Sequence, residues 1–319
     1  MFTDAVILSC TTNDAPFTSL NPWKLKIYDP HVRNTFAIRD HLQIPVAVTI
    51  PHIRRLKERP PQAILFNTSF KFHYKEVADL FHTCKDTRLL WLVNDQRTKL
   101  ESCFKPFVSR LEVVANCSSE AERVFKSWSI LNLNILPMRS PNKIMPKSHD
   151  VVYCGIWREQ RRESFMRYLK GDMLLASAEK SKGHFYEMGI RCKQCDGSLW
   201  SWKPGNETFN QFRYALYIED EELHDLKRGF PALRLYDAIT CNVVTLFDRK
   251  CRQTMERTGW PMRDDFYVSG YDDLMAKVRD DRYLERLEFQ REWANIALLE
   301  QSEVFYRLAE LCQSPVMTS

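Results

Sequence analysis

Two α/β domains with parallel sheets, followed by a helical tail, are what this 319-residue sequence predicts. Short apolar runs alternate with amphipathic stretches, which is the pattern of strands joined by helices. A polar stretch punctuated by proline interrupts that alternation around residues 138–150. From Asp272 to Leu311 the sequence is charged and periodic. Domains usually run to ~100–200 residues, so the length also suits two.

The first strand is expected at Ala5–Ser9. Further strands follow at Val46–Ile50, Ala63–Asn67, Leu89–Val93 and Leu111–Ala115. Between the third and fourth, Tyr74–Cys84 carries Val77, Leu80 and Phe81 at i, i+3, i+4, a helical spacing. Pro137, Pro141 and Pro146, with Ser140, Asn142, Lys143, Lys147 and Ser148, read as an interdomain linker. Val151–Cys154 opens the second domain. A helix with Phe165, Met166 and Leu169 on one side comes next, then strands at Met173–Ala176, Ala215–Ile218 and Val243–Phe247 with two helical segments among them. In the tail, Leu274, Val278, Leu284, Leu287, Trp293, Ile296, Leu299, Phe305 and Leu308 predict one or two long helices.

Hydrophobic residues make up 44% and charged residues 27%, which rules out a disordered or collagen-like chain. No apolar run approaches the ~18 residues that span a bilayer. Asp4 stands where a signal peptide would be basic, so a cytoplasmic protein with reduced thiols is expected. Of the ten cysteines, Cys192 and Cys195 form a single CxxC; without a second pair it reads as a turn with two thiols rather than a zinc site. Residues 1–150 hold 21 Lys/Arg against 14 Asp/Glu, a surplus of seven, while residues 151–319 hold 25 against 27. The basic front half suits a polyanion such as nucleic acid, although chance asymmetry serves as well. The Asp-x-Asp pair, the G-x-G-x-x-G fingerprint and the P-loop signature are all missing.

Open parallel sheets bind ligands outside the C-terminal ends of their strands, and four segments occupy such positions. After Tyr153–Cys154, Gly155 permits close backbone approach. Arg158 and Arg162 are four apart and would share a face if helical, a good diphosphate site at a helix N-terminus. A solvated basic helix face fits the same residues. Arg234-Leu235-Tyr236-Asp237 offers a carboxylate suited to a ribose diol or to a helix cap. Leu89–Val93 delivers Asp95 at a strand tip, either a general base or an ordinary loop-start acid. Asn67-Thr68-Ser69-Phe70-Lys71-Phe72 interleaves aromatic and basic residues, as a nucleic-acid loop does and as a helix entry does.

Taken in order, these segments resemble the DNA β-glucosyltransferase family of T-even bacteriophages. Asp150 to Met166 is similar, without a gap, to that family's D-V-I-Y-G-G-S-F-R-S-G-Q-R-E-S-K-M run, with Cys154 in place of its first glycine. Arg234–Asp237 is similar to its R-V-W-E, Asn94–Arg97 to its T-D-I-R, and Asn67–Phe72 to its N-S-S-I-N-F. Asp265-Phe266-Tyr267-Val268 is similar to its R-F-Y-V. The likeness covers most of residues 60–300; the first 60 residues align poorly and the Lys180–Asn210 stretch finds no convincing counterpart.

The resemblance implies a GT-B fold, two Rossmann-like domains facing a central cleft with a C-terminal helical segment. The acceptor domain would be residues 1–145, completed by 293–319, and the UDP-sugar domain residues 146–292. It implies inverting transfer of a sugar, glucose first, from a UDP donor to the hydroxymethyl group of 5-hydroxymethylcytosine in duplex phage DNA, by a monomer in the infected host cytoplasm. UDP-arabinose, 5-hydroxymethyluracil, or a polysaccharide or small-molecule acceptor are the alternatives. Asp95 would be the catalytic base. Gly155, Arg158, Arg162 and Arg234 would hold the diphosphate, Asp237 the ribose and Asp220 a sugar hydroxyl. Asn67, Ser69, Lys71, Phe72 and Arg97 would contact DNA. Metal dependence stays open: Mg or Mn would assist diphosphate departure, yet no side-chain ligand set for one stands out.

Overall fold

A computed structural model describes residues 4–8, 38–39, 41–47, 50–66, 74–93, 100–115, 129–130, 146–177, 179–194, 207–220, 232–257 and 262–313. The described residues form two compact units. One holds those up to Ile130 and those from Leu299 onward; the other holds Pro146 to Leu298.

The first unit is built on β1 (Ala5–Leu8), β2 (Val46–Ala47), α1 (Ile50–Glu58), β3 (Ala63–Phe66), α2 (Tyr74–Thr83), β4 (Arg88–Val93), a 3-10 segment at Ser102–Arg110, β5 (Leu111–Ala115) and β6 (Ser129–Ile130). The strands pair in parallel in the order β2-β1-β3-β4-β5-β6. Every residue of β1 and β3 is buried, as continuous apolar runs in a sheet covered on both faces should be. On α2 the buried residues are Val77, Leu80 and Phe81, the three that its spacing sets on one side. Phe81 stacks its edge against Phe66 at 5.0 Å and meets Phe104 at 5.5 Å. One expected strand departs at its end: β2 covers Val46–Ala47, and Ile50, expected as its last residue, instead opens α1. Pro51 explains the change, because proline favours the first turn of a helix and breaks a ladder.

The second unit comprises β7 (His149–Cys154), α3 (Arg162–Tyr168), β8 (Leu174–Ala176), α4 (Glu179–Glu187), β9 (Lys193–Gln194), α5 (Glu207–Asn210), β10 (Phe212–Tyr217), α6 (Leu233–Thr240), β11 (Val244–Asp248), α7 (Arg252–Arg257), β12 (Tyr267–Val268), α8 (Tyr271–Arg279) and α9 (Tyr283–Gln313). Its strands are again all parallel, in the order β12-β11-β10-β7-β8-β9. Within the CxxC expected as a turn, Lys193 and Gln194 form β9 by pairing with Leu174 and Leu175, while Cys195 lies outside the described residues. Cys192 packs half-buried against the core, and burial pushes its thiol up.

The long helix departs most from its apolar pattern. Leu284 is 72% exposed and Ile296 54%, whereas Arg286 and Gln290 are each 1% exposed. Backbone and acid partners explain the exchange. Gln290 donates to the Val243 carbonyl at 2.8 Å and accepts from the Thr245 amide at 2.8 Å, satisfying β11 where it begins. Arg286 donates to both oxygens of Asp280, at 2.8 and 2.6 Å, and to the Lys277 carbonyl at 3.0 Å. Met166, expected on the buried side of α3, is 50% exposed, while Phe165 and Tyr168 fill the core. From Leu299 onward α9 belongs to the first unit. There Phe305 stacks on His41 at 4.1 Å, Leu308 and Cys312 are buried, and Arg88 donates to the Leu311 carbonyl at 2.7 Å.

Candidate functional site

In the second sheet the chain winds from β7 outward to β9, then returns to β10 and winds the opposite way to β12. The crevice between the C-terminal ends of β7 and β10 is therefore a topological switch point, where open parallel sheets take their ligands. Both strands lead into charged residues there. Gly155, Arg158 and Arg161 follow β7; Glu219 and Asp220 follow β10.

Gly155 is required by close approach. A Cβ on it would stand 2.3 Å from the Tyr153 hydroxyl oxygen and 2.6 Å from Cζ of that fully buried ring. The Gly155 amide donates to the Ala176 carbonyl at 3.0 Å, fixing the strand end against β8.

Arg161 lies at the centre of the charges. Its Nε is 2.6 Å from Asp220 Oδ1, its Nη2 is 3.9 Å from Glu219 Oε2, and its Nη1 donates to the Tyr153 hydroxyl at 3.2 Å. Arg234, carried by α6, brings Nη2 to 3.3 Å from Glu219 Oε2, donates to the Ile218 carbonyl and lies 4.6 Å from the centre of the Tyr217 ring. Glu219 Oε1 accepts from the Ala232 amide at 3.1 Å. Arg158 Nε is 3.8 Å from Asp220 Oδ2. Among the described residues, three guanidiniums thus surround two carboxylates, a surplus of one positive charge within this group.

The cluster is largely withdrawn from water. Side-chain exposure is 5% for Arg161, 2% for Asp220 and 0% for Glu219, but 32% for Arg158, which opens the group to solvent. Burial works against the Arg234 charge, yet Glu219, Tyr153 and Asp220 outweigh it and raise the guanidinium above its ordinary range. Nε of Arg161, Nε of Arg234 and Oε2 of Glu219 make no aligned hydrogen bond within the chain. An excess of guanidinium over carboxylate among the described residues, open to solvent at Arg158, suits an incoming anion.

A second network steadies the turn that carries these arginines. Asp248, at the end of β11, accepts from Ser164 Oγ at 2.6 Å, from the Tyr168 hydroxyl at 3.1 Å and from the Lys250 amide at 3.2 Å. Burial and the neighbouring Asp248 push the Tyr168 hydroxyl well up. Ser164 and Tyr168 both lie on α3, so its first turns are tied to β11.

Arg158 and Arg162 do not share a helical face. Arg158 is extended (φ −145°, ψ 133°), a 3-10 turn covers Glu159–Arg161, and α3 begins only at Arg162. The Arg162 side chain is 54% exposed and pairs with Glu159 at 3.3 Å. Arg161, which the spacing did not single out, turns inward instead. Asp220, expected at a sugar hydroxyl, is buried against Arg161; Asp237 lies on α6, with its side chain outside the described residues. Asp95 and Arg97, just beyond β4, and Asn67, Ser69, Lys71 and Phe72, just beyond β3, lie outside the described residues as well. Glu219 was also missed; its signal was an acidic pair directly after the apolar run Ala215–Ile218. Among the described residues no group of three or more His, Cys, Asp or Glu side chains converges to hold a metal, and no helix is long and apolar enough to cross a membrane.

The chain is similar to the E. coli trehalose-6-phosphate structure bound with UDP-2-fluoro glucose, at 8% identity and a TM-score of 0.51, over 97% of this chain and 93% of that one. That likeness defines the class of fold: two parallel-sheet α/β domains of the GT-B type. Two further structures align along most of their length. One is Glycyrrhiza uralensis UGT73P12 complexed with glycyrrhetinic acid 3-O-monoglucuronide, at 9% identity, 98% and 96% coverage and a TM-score of 0.41. The other is the Streptomyces sp. SF2575 glycosyltransferase SsfS6, at 9% identity, 96% and 99% coverage and a TM-score of 0.36. At those scores neither adds to the fold assignment. No protein-family model and no curated protein matches the chain.

Proposed function

We propose that this protein is a UDP-sugar-dependent glycosyltransferase whose acceptor is the hydroxymethyl group of a modified pyrimidine in duplex DNA, with glucose and 5-hydroxymethylcytosine as the first pair to test. The observation that carries the donor side is the cluster of Arg158, Arg161 and Arg234 around Glu219 and Asp220, one positive charge in surplus, at a sheet switch point. The fold, similar to that of a structure bound with UDP-2-fluoro glucose, supports the same donor class. The DNA acceptor rests on the ordered sequence blocks that resemble the phage family and on the seven surplus basic charges of residues 1–150.

In this reading Asp95 takes the proton from the hydroxymethyl oxygen as that oxygen attacks C1 of the sugar; UDP leaves from the opposite side and the anomeric configuration inverts. Arg158 and Arg234, with Arg162 at the rim, offset the charge that develops on the departing diphosphate. Asp237 binds the ribose diol. The target base leaves the stack to reach the site, with Asn67, Ser69, Lys71, Phe72 and Arg97 holding the opened duplex. Phosphate contacts make DNA binding weaken as salt rises.

The test is mass spectrometry of nucleosides after incubation with UDP-glucose or UDP-arabinose and duplexes carrying 5-hydroxymethylcytosine or 5-hydroxymethyluracil. A hexose or pentose gain on one base is the expected result and names both substrates. UDP released only with a polysaccharide or small-molecule acceptor overturns the DNA reading. No UDP release with any acceptor overturns the enzyme reading.

A further inference from the structure

We propose that Arg161 and Glu219 are positioning residues that set the charge of the donor site, Arg161 supplying the surplus that draws a nucleoside diphosphate and Glu219 limiting it. This rests on the donor-site reading and deepens it. Neither residue was among those the sequence pointed to, and each is buried where it cannot serve as a surface charge: Arg161 is 5% exposed and Glu219 0%.

The charge count makes the two roles opposite in sign. Among the described residues, three guanidiniums face two carboxylates. Loss of Arg161 takes one positive charge from that group. Loss of the Glu219 charge adds one. Arg161 also has a geometric part. It bridges Asp220, 2.6 Å away, and Glu219, 3.9 Å away, and the same two acids are the partners of Arg158 and Arg234 respectively. The diphosphate-facing arginines are therefore held at a fixed spacing through a central guanidinium that the diphosphate does not have to touch. The Tyr153 hydroxyl, at 3.2 Å, fixes the remaining arm of Arg161. Arg161 sits closer to Asp220 than to Glu219, and its Nε makes no aligned hydrogen bond.

The experiment is calorimetric titration of the full chain with UDP, comparing wild type with Arg161→Gln, Arg161→Lys and Glu219→Gln, each checked by thermal unfolding. Wild type should bind UDP. Arg161→Gln should weaken binding at least about tenfold, equivalent to about 1.4 kcal/mol. Arg161→Lys should recover part of that loss, because it restores the charge without the fork that bridges two acids. Glu219→Gln should tighten UDP binding severalfold although it removes a buried ion-pair partner, a gain that structural damage does not produce. Its donor turnover should fall, since Arg234 keeps the Ile218 carbonyl and the Tyr217 ring but loses its carboxylate partner. No UDP affinity in the wild type overturns the donor-site reading itself. Wild-type binding with both neutral variants shifted in the same direction overturns the charge assignment and leaves the donor site standing.

Discussion

Gly155→Ala tests the local geometry of the site with one methyl group. The new Cβ would lie 2.3 Å from the Tyr153 hydroxyl oxygen, 2.6 Å from Cζ and 2.9 Å from Cε1. The ring is poorly able to yield, because it is fully buried, its hydroxyl holds Arg161 at 3.2 Å, and Phe165 packs edge-on at 5.3 Å. Overpacking of this kind costs about 1–3 kcal/mol. Stiffening of the unfolded chain by alanine returns ~0.4–1 kcal/mol. The centres of the two ranges leave a net loss of about 1.3 kcal/mol, or roughly 3–5 °C in the melting temperature of a unit this size. Tyr153→Phe alone should cost about 1.5–3 kcal/mol, since it removes a buried hydrogen bond to a charged group. Combining the two removes the 2.3 Å contact and leaves the 2.6 Å one. Alanine should then cost less than in the wild type, with a coupling of ~0.5–1 kcal/mol. Urea and thermal unfolding of the four proteins gives the cycle. A Gly155→Ala midpoint equal to wild type would refute the close approach, and equal costs in both backgrounds would refute Tyr153 as the neighbour.

Other perturbations read other parts of the molecule. Arg286→Met leaves Asp280 and Asp265 without their buried guanidinium and should cost about 3 kcal/mol in urea unfolding, the low end for such a pair because Asp280 keeps 31% of its side-chain exposure. Burial raises the Asp280 carboxyl, but Arg286, the Arg282 amide and the nearby positive charges outweigh it and hold it below 3.8. Its stabilisation is therefore complete above that value and lost as the pH falls through the lower folded one, and Arg286→Met should flatten that acid slope. Burial pushes the Lys147 amine down to about 8, against hydrogen bonds to the Asn210 carbonyl at 2.7 Å and the Cys241 carbonyl at 3.3 Å. The folded chain then binds fewer protons than the unfolded one between about 8 and 10.5, so the urea midpoint should rise with pH across that window and Lys147→Met should abolish the rise. Asp95→Ala should lower sugar transfer by ~10²–10⁴-fold with UDP affinity unchanged; full activity in that variant would remove Asp95 from the proposed chemistry.

Sheet cores were legible because a strand buried on both faces must be a continuous apolar run, and Ala5–Leu8 and Ala63–Phe66 are such runs. Two-residue edge strands such as Lys193–Gln194 and Tyr267–Val268 have no period to detect. Apolar periodicity misjudged α9, where Arg286 and Gln290 take core positions by answering an acid and a strand backbone that lie far away in sequence. Gly155 and Arg158 could be found from the strand end before them. Arg161 could not, because the 3-10 turn at Glu159–Arg161 decides which arginine of the Arg161-Arg162 doublet turns inward, and a 3-10 turn shifts the side-chain direction without changing the residue count.

The return of α9 into the first unit sets an order on biosynthesis. Arg88 donates to the Leu311 carbonyl across 223 positions of sequence, and Phe305 covers His41. Residues up to Ile130 leave the ribosome first, yet the surface that Phe305, Leu308 and Cys312 bury stays uncovered until the whole second unit has been translated. Of the two units, the one whose strands are translated first is thus completed after the other. During that interval its apolar face is held open to solvent and to chaperones, and a ribosome that stalls anywhere in the second sheet releases a first unit without its closing helix.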